Sequence, residues 1–143
     1  MPSSLSGSCG CGAVRFEVSA PPVTATYCHC TRCQKRTGGA VSASAIAAPG
    51  SVTVTAGEEH LRDWRLPDGL AKTFCAQCGS HLFARDPETG EVRAIRMSAF
   101  DADLGVRPEA RQFVAYAAAW EPIPDDGLPR YDERRSAPTA GRP

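Results

Sequence analysis

The sequence places three cysteines within six residues, at Cys28, Cys30 and Cys33, in a C-x-C-x-x-C pattern. Side chains two residues apart in an extended segment point to the same face, so Cys28 and Cys30 are expected to lie side by side. A turn after Cys30 brings Cys33 back toward that face. Zinc held by thiolates is nearly always tetrahedral, so three sulfurs leave one coordination position open for ligand capture or chemistry.

The other four cysteines form two pairs. Cys9 and Cys11 lie in a glycine-rich segment, and Cys75 and Cys78 form a C-x-x-C motif followed by Gly79, which is typical of a zinc knuckle. A knuckle supplies only two ligands and therefore needs two more, while the first pair has no other partner. The simplest division of the seven sulfurs is four and three, which predicts a closed structural zinc site and an open second zinc site.

Composition limits the classes of function. The chain has 143 residues, enough for one domain, and its 16 basic and 16 acidic side chains give a formal net charge of zero. This balance counts against a nucleic-acid or anionic-membrane partner, and no apolar run approaches the ~20 residues of a membrane span. The first residues lack the apolar core of a signal peptide, so we expect a cytoplasmic protein whose thiols bind metal rather than form disulfides.

The segments around the cysteines predict a mainly β fold. Alternation at 14, 16 and 18 is typical of a half-buried strand, and further strands are expected at 23–27, 40–47, 51–55, 61–66, 71–74, 81–85, 92–98 and 112–116. A helical turn is expected at 31–37, ended by the glycines that follow. Trp64, Tyr116 and Trp120 are expected in the core. We place one domain at 1–131 and a flexible tail at 132–143, where Ser, Pro, Gly and Arg dominate.

The charge of the open site indicates what it binds best. Three thiolates on Zn²⁺ leave a net charge of about −1, so this zinc withdraws less electron density than one held by three neutral histidines. Water on such an ion ionises less readily. The site is therefore better suited to hold an added thiolate, since metal coordination lowers a thiol's pKa from ~8.5.

Three stretches carry a specific resemblance to a known family. They are GSCGCGAVRFEV at 7–18, CHCTRCQKRTG at 28–38 and FCAQCGSHLF at 74–83, with further likeness at 119–120 and 126–130. In this order they resemble the glutathione-dependent formaldehyde-activating enzyme family, which includes centromere protein V. The likeness covers nearly all of the chain except the tail, and one departure is Met97–Asp101, where many members carry Gly-x-Leu-Asp.

The resemblance implies a single-domain β-tent fold, in which small antiparallel sheets are pinned by zinc. It implies a structural zinc on Cys9, Cys11, Cys75 and Cys78 and a second zinc on Cys28, Cys30 and Cys33, the latter being the catalytic site. The implied reaction is the condensation of formaldehyde with glutathione to S-hydroxymethylglutathione, a carbon–sulfur lyase reaction written in reverse.

Glutathione brings two carboxylates, so cations beside the open site would support it. Arg32, Lys35 and Arg36 are the candidates for substrate binding, because they lie within and directly after the three-cysteine motif. His29 is expected to point away from the metal and to have a structural role. His81, three residues after Cys78, is a further candidate to approach the open site or to shuttle a proton.

Two other functions remain open at this point. One is a non-catalytic zinc-binding module for a protein or nucleic-acid partner, which the basic run from Arg32 to Arg36 suggests and the neutral overall charge disfavours. The other is redox sensing, in which the three-cysteine site releases zinc and Cys30 pairs with Cys33.

Overall fold

The computed structural model describes residues 5–136, which form a mainly β domain with two sheets and one α-helix. The mainly β, single-domain fold predicted from the sequence is confirmed. The strands are β1 (Leu5–Ser8), β2 (Arg15–Val18), β3 (Thr24–Cys28), β4 (Ser42–Ile46), β5 (Val52–Ala56), β6 (Leu61–Trp64), β7 (Ala71–Cys75), β8 (His81–Arg85), β9 (Val92–Arg96) and β10 (Arg111–Gln112). The helix is α1 (Thr31–Thr37), and 3-10 turns cover Glu58–His60, Met97–Ala99 and Val114–Tyr116.

The smaller sheet has three antiparallel strands in the order β1-β2-β5. In β2 the side chains alternate between the core and solvent, with Phe16 and Val18 fully buried, as the sequence predicts. Gly7 in β1 faces Phe16, and a Cβ at this position would collide with the Phe16 ring and the carbonyl oxygen of Ala99. Only glycine therefore allows β1 to approach β2 and the Met97–Ala99 turn this closely.

The larger sheet has seven strands in the order β10-β3-β4-β9-β8-β7-β6. All neighbours are antiparallel except β10 and β3, which pair in parallel through Arg111–Tyr27 and Gln112–Cys28. Most of its antiparallel neighbours follow one another in the chain and are joined by tight turns, such as the Asp86–Gly90 turn between β8 and β9. This order brings β3, which ends in the three-cysteine motif, next to β4 and then β9.

The main core lies between the two sheets. Phe16 of the smaller sheet packs edge-on against Phe83 of the larger sheet, with ring centroids 5.2 Å apart, and against Phe100 at 5.7 Å. Leu82 and Ile95 are fully buried in the same cluster, which also includes Cys9 and Cys75. The Cys9–Cys11 pair and the Cys75–Cys78 pair therefore lie at the edge of the core, where the two sheets meet.

Several expectations from the sequence are wrong in detail. The strand expected at 112–116 is limited to β10, and Phe113 then takes a left-handed conformation with φ 58° before the 3-10 turn at Val114–Tyr116. Strand β1 was not expected at all. Trp64, Tyr116 and Trp120 do not belong to the core, because they are 43%, 45% and 68% exposed.

The segment after residue 131 is bonded to the domain as far as it is described. The Arg135 guanidinium donates hydrogen bonds to Thr26 Oγ1 and Ala25 O on β3, and it pairs with Glu109 at 3.0 Å. Residues 132–136 are therefore held against the sheet, while residues 137–143 of the expected tail lie outside the described part of the chain. Between residues 5 and 136, no helix is long and apolar enough to cross a membrane.

Candidate metal centres and the cavity beside them

The three-cysteine cluster is built where β3 passes into α1. Cys28 ends the strand, Cys30 is the N-cap residue of the helix, and Cys33 lies in the first helical turn. The Cys30 sulfur accepts a hydrogen bond from the backbone N–H of Cys33 at 3.3 Å, as the side chain of an N-cap residue does. The turn that the spacing predicts therefore forms, and the three sulfurs lie within 4.8 Å of one another.

The three sulfurs cannot ionise independently. Hydrogen bonds from Cys28 and Cys30 hold the pKa of Cys33 far below its ordinary value, while hydrogen bonding to Cys30 and Cys33 raises the pKa of Cys28 strongly. Like charges held this close favour one thiolate with protonated neighbours unless a cation is present. A divalent cation removes this conflict and ionises coordinating thiols, so this donor set fits a zinc ion.

The four-cysteine cluster joins the tips of two hairpins. Cys9 and Cys11 lie in the turn between β1 and β2, and Cys75 and Cys78 flank the turn between β7 and β8. Gly79 takes φ 80° in this second turn, and its N–H donates to the carbonyl oxygen of Cys75 at 2.7 Å. The knuckle turn expected from the C-x-x-C-G motif is therefore present.

Distances within this cluster agree with a tetrahedral ion. A Zn–S distance of ~2.3 Å requires sulfurs about 3.8 Å apart in a tetrahedron. The Cys9–Cys11 and Cys11–Cys75 sulfurs are 3.5 and 4.0 Å apart, and all four lie within 4.8 Å of one another. The seven sulfurs thus divide into four and three, as their spacing suggests.

Ser80 links the two turns of the four-cysteine cluster. Its hydroxyl oxygen accepts a hydrogen bond from the Gly10 N–H at 2.8 Å and lies 3.2 Å from the Cys78 sulfur. Hydrogen bonding to Ser80 lowers the pKa of Cys78 to about 5. Cys9 receives a further hydrogen bond from the Val14 N–H at 3.3 Å. These contacts stabilise thiolates before any cation binds, which is the ionisation state that zinc requires.

The three cations expected beside the open site are placed differently from one another. Arg36 is half-buried, lies one turn after Cys33 on the same face of α1, and lines a cavity. Arg32 is exposed but near enough to Arg36 to lower the pKa of that guanidinium. Lys35 is exposed on the outer part of the helix and is not among the residues that line the cavity.

Three further polar residues near the cluster were not found from the sequence. Ser42 pairs with Cys28 across β3 and β4, and its hydroxyl helps to lower the pKa of Cys33. Arg96 at the end of β9 and Lys72 on β7 lie close enough to Cys33 to interact with its charge. Each comes from a strand distant in sequence, so only the order of strands in the larger sheet brings them to the motif.

His29 has the structural role that the sequence suggests. Its ring is buried and Nε2 lies 3.1 Å from Nη1 of Arg111, while Nη2 of Arg111 donates to Asp126 at 2.8 Å. The Arg111 guanidinium also stacks 4.3 Å from the Tyr27 ring centroid. Burial, followed by the charge of Arg111, lowers the pKa of His29 and keeps the ring neutral. The side chain between Cys28 and Cys30 is thus fixed away from the sulfurs.

A cavity of about 550 Å³ lies between the four-cysteine cluster and helix α1. Cys9 and Gly10 line it on the side of the four-cysteine cluster, and Arg36 and Thr37 line it on the side of the three-cysteine cluster. His81 also lines it, with a buried Nδ1 that has no hydrogen-bond partner between residues 5 and 136. Burial, followed by Arg36 and Arg96, lowers the pKa of His81. The cavity therefore has room for a small ligand next to α1, the helix that carries Cys33.

Comparison with known proteins identifies the family. A profile described as "Glutathione-dependent formaldehyde-activating enzyme" matches residues 4–116. A relative from Halomonas elongata, named "Putative glutathione-dependent formaldehyde-activating enzyme", is 38% identical over 111 residues, which cover 73% of this chain and 71% of the relative. A crystal structure of a Rhodobacter sphaeroides protein has the same fold with a TM-score of 0.52 at 23% identity, covering 88% of this chain and 98% of that one. The chain therefore belongs to the glutathione-dependent formaldehyde-activating enzyme family.

Proposed function

We propose that this protein is a zinc-dependent enzyme that makes or breaks the carbon–sulfur bond of a glutathione adduct such as S-hydroxymethylglutathione. The observation that carries the proposal is the gathering of Cys28, Cys30 and Cys33 beside a cationic cavity in a chain of this family. In the direction of cleavage the reaction is that of a carbon–sulfur lyase. We place it in the cytoplasm, a reducing compartment in which the thiols of seven cysteines stay available to bind metal.

The two clusters have different roles in this proposal. Cys9, Cys11, Cys75 and Cys78 hold a structural zinc with no open position, and Cys28, Cys30 and Cys33 hold a second zinc. When bound, the second ion supplies an open coordination position that ionises and places an incoming thiol. The three cysteines are therefore catalytic through the ion that they hold.

The chain's own residues supply charge and proton transfer. Arg32 and Arg36 stabilise an anionic thiol beside Cys33, and Lys35 adds a more distant positive charge. His81 is neutral at neutral pH because its pKa is lowered, so it can accept the proton that leaves the thiol. In the condensation the sulfur bonds to the formaldehyde carbon, the carbonyl π bond breaks, and His81 returns the thiol's proton to the oxygen, which becomes a hydroxyl. Holding both partners together is the main source of rate.

Exchange NMR on the zinc-loaded protein tests this proposal. We expect the protein to accelerate interconversion of glutathione and S-hydroxymethylglutathione above the uncatalysed rate, and Cys28→Ser to return the rate to the uncatalysed value. The variant should lose one of two zinc ions by metal analysis and keep its fold by circular dichroism.

The matched control is Arg62→Gln, which removes an exposed cation on β6. The Arg62 guanidinium donates hydrogen bonds to the backbone carbonyls of Glu59 and Leu61, which lie outside the cavity. This variant should retain the wild-type rate. An uncatalysed rate for the fully loaded wild-type protein would reject the proposed reaction.

A further inference from the structure

Two guanidinium groups at the cavity have no acidic partner. Arg36 comes from α1 and Arg96 from the end of β9, and both line the cavity. In the described part of the chain, ion pairs form at several other arginines, but no carboxylate lies within 4 Å of either of these two. Their positive charge therefore faces the cavity without a carboxylate partner among residues 5–136.

Neutral groups hold these guanidiniums in place. The Arg36 guanidinium lies 5.6 Å from the centroid of the Trp64 ring, which explains why this tryptophan lies at the surface instead of in the core. Nη1 of Arg96 donates a hydrogen bond to Ser44 Oγ at 3.0 Å. An aromatic face and a hydroxyl orient a guanidinium without neutralising it, so both remain available to an anion.

The arrangement is unfavourable without a ligand. Burial, followed by the charge of Arg96, lowers the pKa of Arg36, and the same two causes lower the pKa of Lys72. Partly buried like charges repel one another more strongly than exposed ones, because water screens them less. A partly buried cation cluster that lines a cavity and has no acidic partner among the described residues is expected to serve binding.

The cations near the three-cysteine cluster are more numerous than neutralising the charge of its metal site would require. Three thiolates on a divalent ion carry about one net negative charge. Arg36, Arg96 and Lys72 each interact with Cys33, and Arg32 acts on Arg36, so the positive charge around the cluster exceeds that negative charge. Asp101, at another part of the cavity wall, is already bonded by Ser6 and Arg15. The cavity thus has room for further negative charge from a ligand.

We propose that Arg36 and Arg96 form a fork that binds a carboxylate of a peptide thiol and holds its sulfur toward Cys28, Cys30 and Cys33. Arg36 lies three residues after Cys33 on α1, and both Arg36 and Arg96 are close enough to Cys33 to interact with its charge, so the fork lies near the three sulfurs. The planar guanidinium matches a carboxylate through two parallel hydrogen bonds. The inference rests on the proposed function, because the thiol it orients is the substrate of that reaction.

A thiol-blocked ligand separates this inference from the proposed reaction. S-methylglutathione keeps both carboxylates but has no ionisable sulfur, so its binding does not require the carbon–sulfur chemistry. We expect the zinc-loaded wild-type protein to bind it in a calorimetric titration, and its diethyl ester to bind at least tenfold more weakly. Inorganic phosphate is titrated in parallel, to distinguish a peptide-thiol site from a general anion site.

Substitutions assign the binding to the two arginines. Arg36→Gln and Arg96→Gln should each weaken S-methylglutathione binding by about tenfold or more, because each removes a charge-assisted hydrogen bond. The matched control is Arg93→Gln, on the same strand as Arg96 but paired with Asp86 and outside the cavity. Arg96→Lys keeps the charge and loses the planar fork, so an intermediate affinity is expected.

Several results would overturn the inference. They are no binding of S-methylglutathione by the wild-type protein, equal binding of the diester, phosphate binding as tight as that of the peptide, and arginine variants that behave like Arg93→Gln. If Arg96→Gln does not fold, Arg36→Gln on the separate helix still decides the question. If the wild-type protein binds S-methylglutathione but does not accelerate the reaction, the proposed reaction is rejected and the carboxylate site at Arg36 and Arg96 is retained.

Discussion

Asp63 is a single carboxylate that holds three strands together. It lies on β6 and accepts hydrogen bonds from Thr73 Oγ1 on β7 at 2.7 Å and from Arg85 Nε on β8 at 3.0 Å. A second bond from Arg85 Nη2 at 3.2 Å makes the pair bidentate. Burial alone would raise the pKa of Asp63, but the bonds from Thr73 and Arg85 outweigh burial and lower it.

The lowered pKa of Asp63 gives a prediction with a defined sign. Its contribution is fully present above the unfolded pKa of ~3.9 and is lost as pH falls through the lower folded pKa. Asp63→Asn should therefore lower the free energy of unfolding by about 1–3 kcal/mol, with an offset from wild type that stays constant between pH 8 and pH 5. Urea denaturation across this range measures the offset.

The control for this prediction is Glu59→Gln, which changes an exposed carboxylate whose ion pair within residues 5–136 is with His60. It should shift stability by less than about 0.5 kcal/mol at any pH in the range. An Asp63→Asn offset that already shrinks between pH 7 and pH 5 would contradict the assignment.

At the scale of residues, spacing alone gives the grouping of the cysteines. A C-x-C at a strand end and a C-x-x-C around a tight turn each fix their sulfurs through local backbone geometry, so the four-and-three division is predictable. Ser42, Lys72 and Arg96 have no such local signal, because strand pairing brings them to Cys33. The expected core position of Trp64 is wrong because its ring lies at the surface beside the Arg36 guanidinium, and its local sequence does not indicate this contact.

At the scale of elements, β10 is short and depends on one buried side chain. Arg111 is 6% exposed, bonds to Asp126 and His29, and stacks on Tyr27 of the neighbouring strand. A two-residue parallel strand contributes few ladder hydrogen bonds, so its position is set mainly by these contacts. The sequence predicts a longer strand here, because no local signal indicates the left-handed conformation of Phe113 that ends β10.

Arg111→Met tests the dependence of β10 on its buried charge. Removing one partner of a largely buried ion pair leaves Asp126 unpaired, and because Asp126 is one-third exposed we expect a loss of about 2–3 kcal/mol rather than the full cost of a buried charge. Urea denaturation of the zinc-loaded protein measures this loss.

The comparison variant is Arg107→Met, which removes an exposed pair with Asp103 at i,i+4. It should cost much less than Arg111→Met, because both partners are exposed and screened by water. Similar losses in the free energy of unfolding of Arg111→Met and Arg107→Met would contradict the larger contribution expected from the buried Arg111.

At the scale of the whole molecule, the four-cysteine cluster joins the two sheets at their hairpin tips. A structural zinc contributes an apparent ~10–16 kcal/mol at neutral pH, while a domain has a net stability of only ~5–15 kcal/mol. We therefore expect removal of this ion to unfold the domain or detach the smaller sheet, even though Phe16 also packs between the sheets.

Chelation followed by hydrogen exchange tests this expectation. The amides of β1, β2 and β5 should lose protection first, and Cys75→Ala or Cys9→Ala should give insoluble or unfolded protein. Cys28→Ser, which affects only the other cluster, should keep protection in both sheets. A soluble, zinc-depleted Cys75→Ala protein with an unchanged melting temperature would refute the role given to this cluster.

The two halves of the four-cysteine cluster are far apart along the chain, because Cys75 lies 64 positions after Cys11. Ribosomes add ~5–20 residues per second, so the first pair of thiols waits roughly 3 to 13 seconds for the second. The compact motif at 28–33 is synthesised in this interval and completes its donor set first. If both clusters bind zinc as proposed, we expect the early pair and the compact motif to compete for one ion in a nascent chain. Metal exchange after synthesis reaches residue 78 would then separate the two sites.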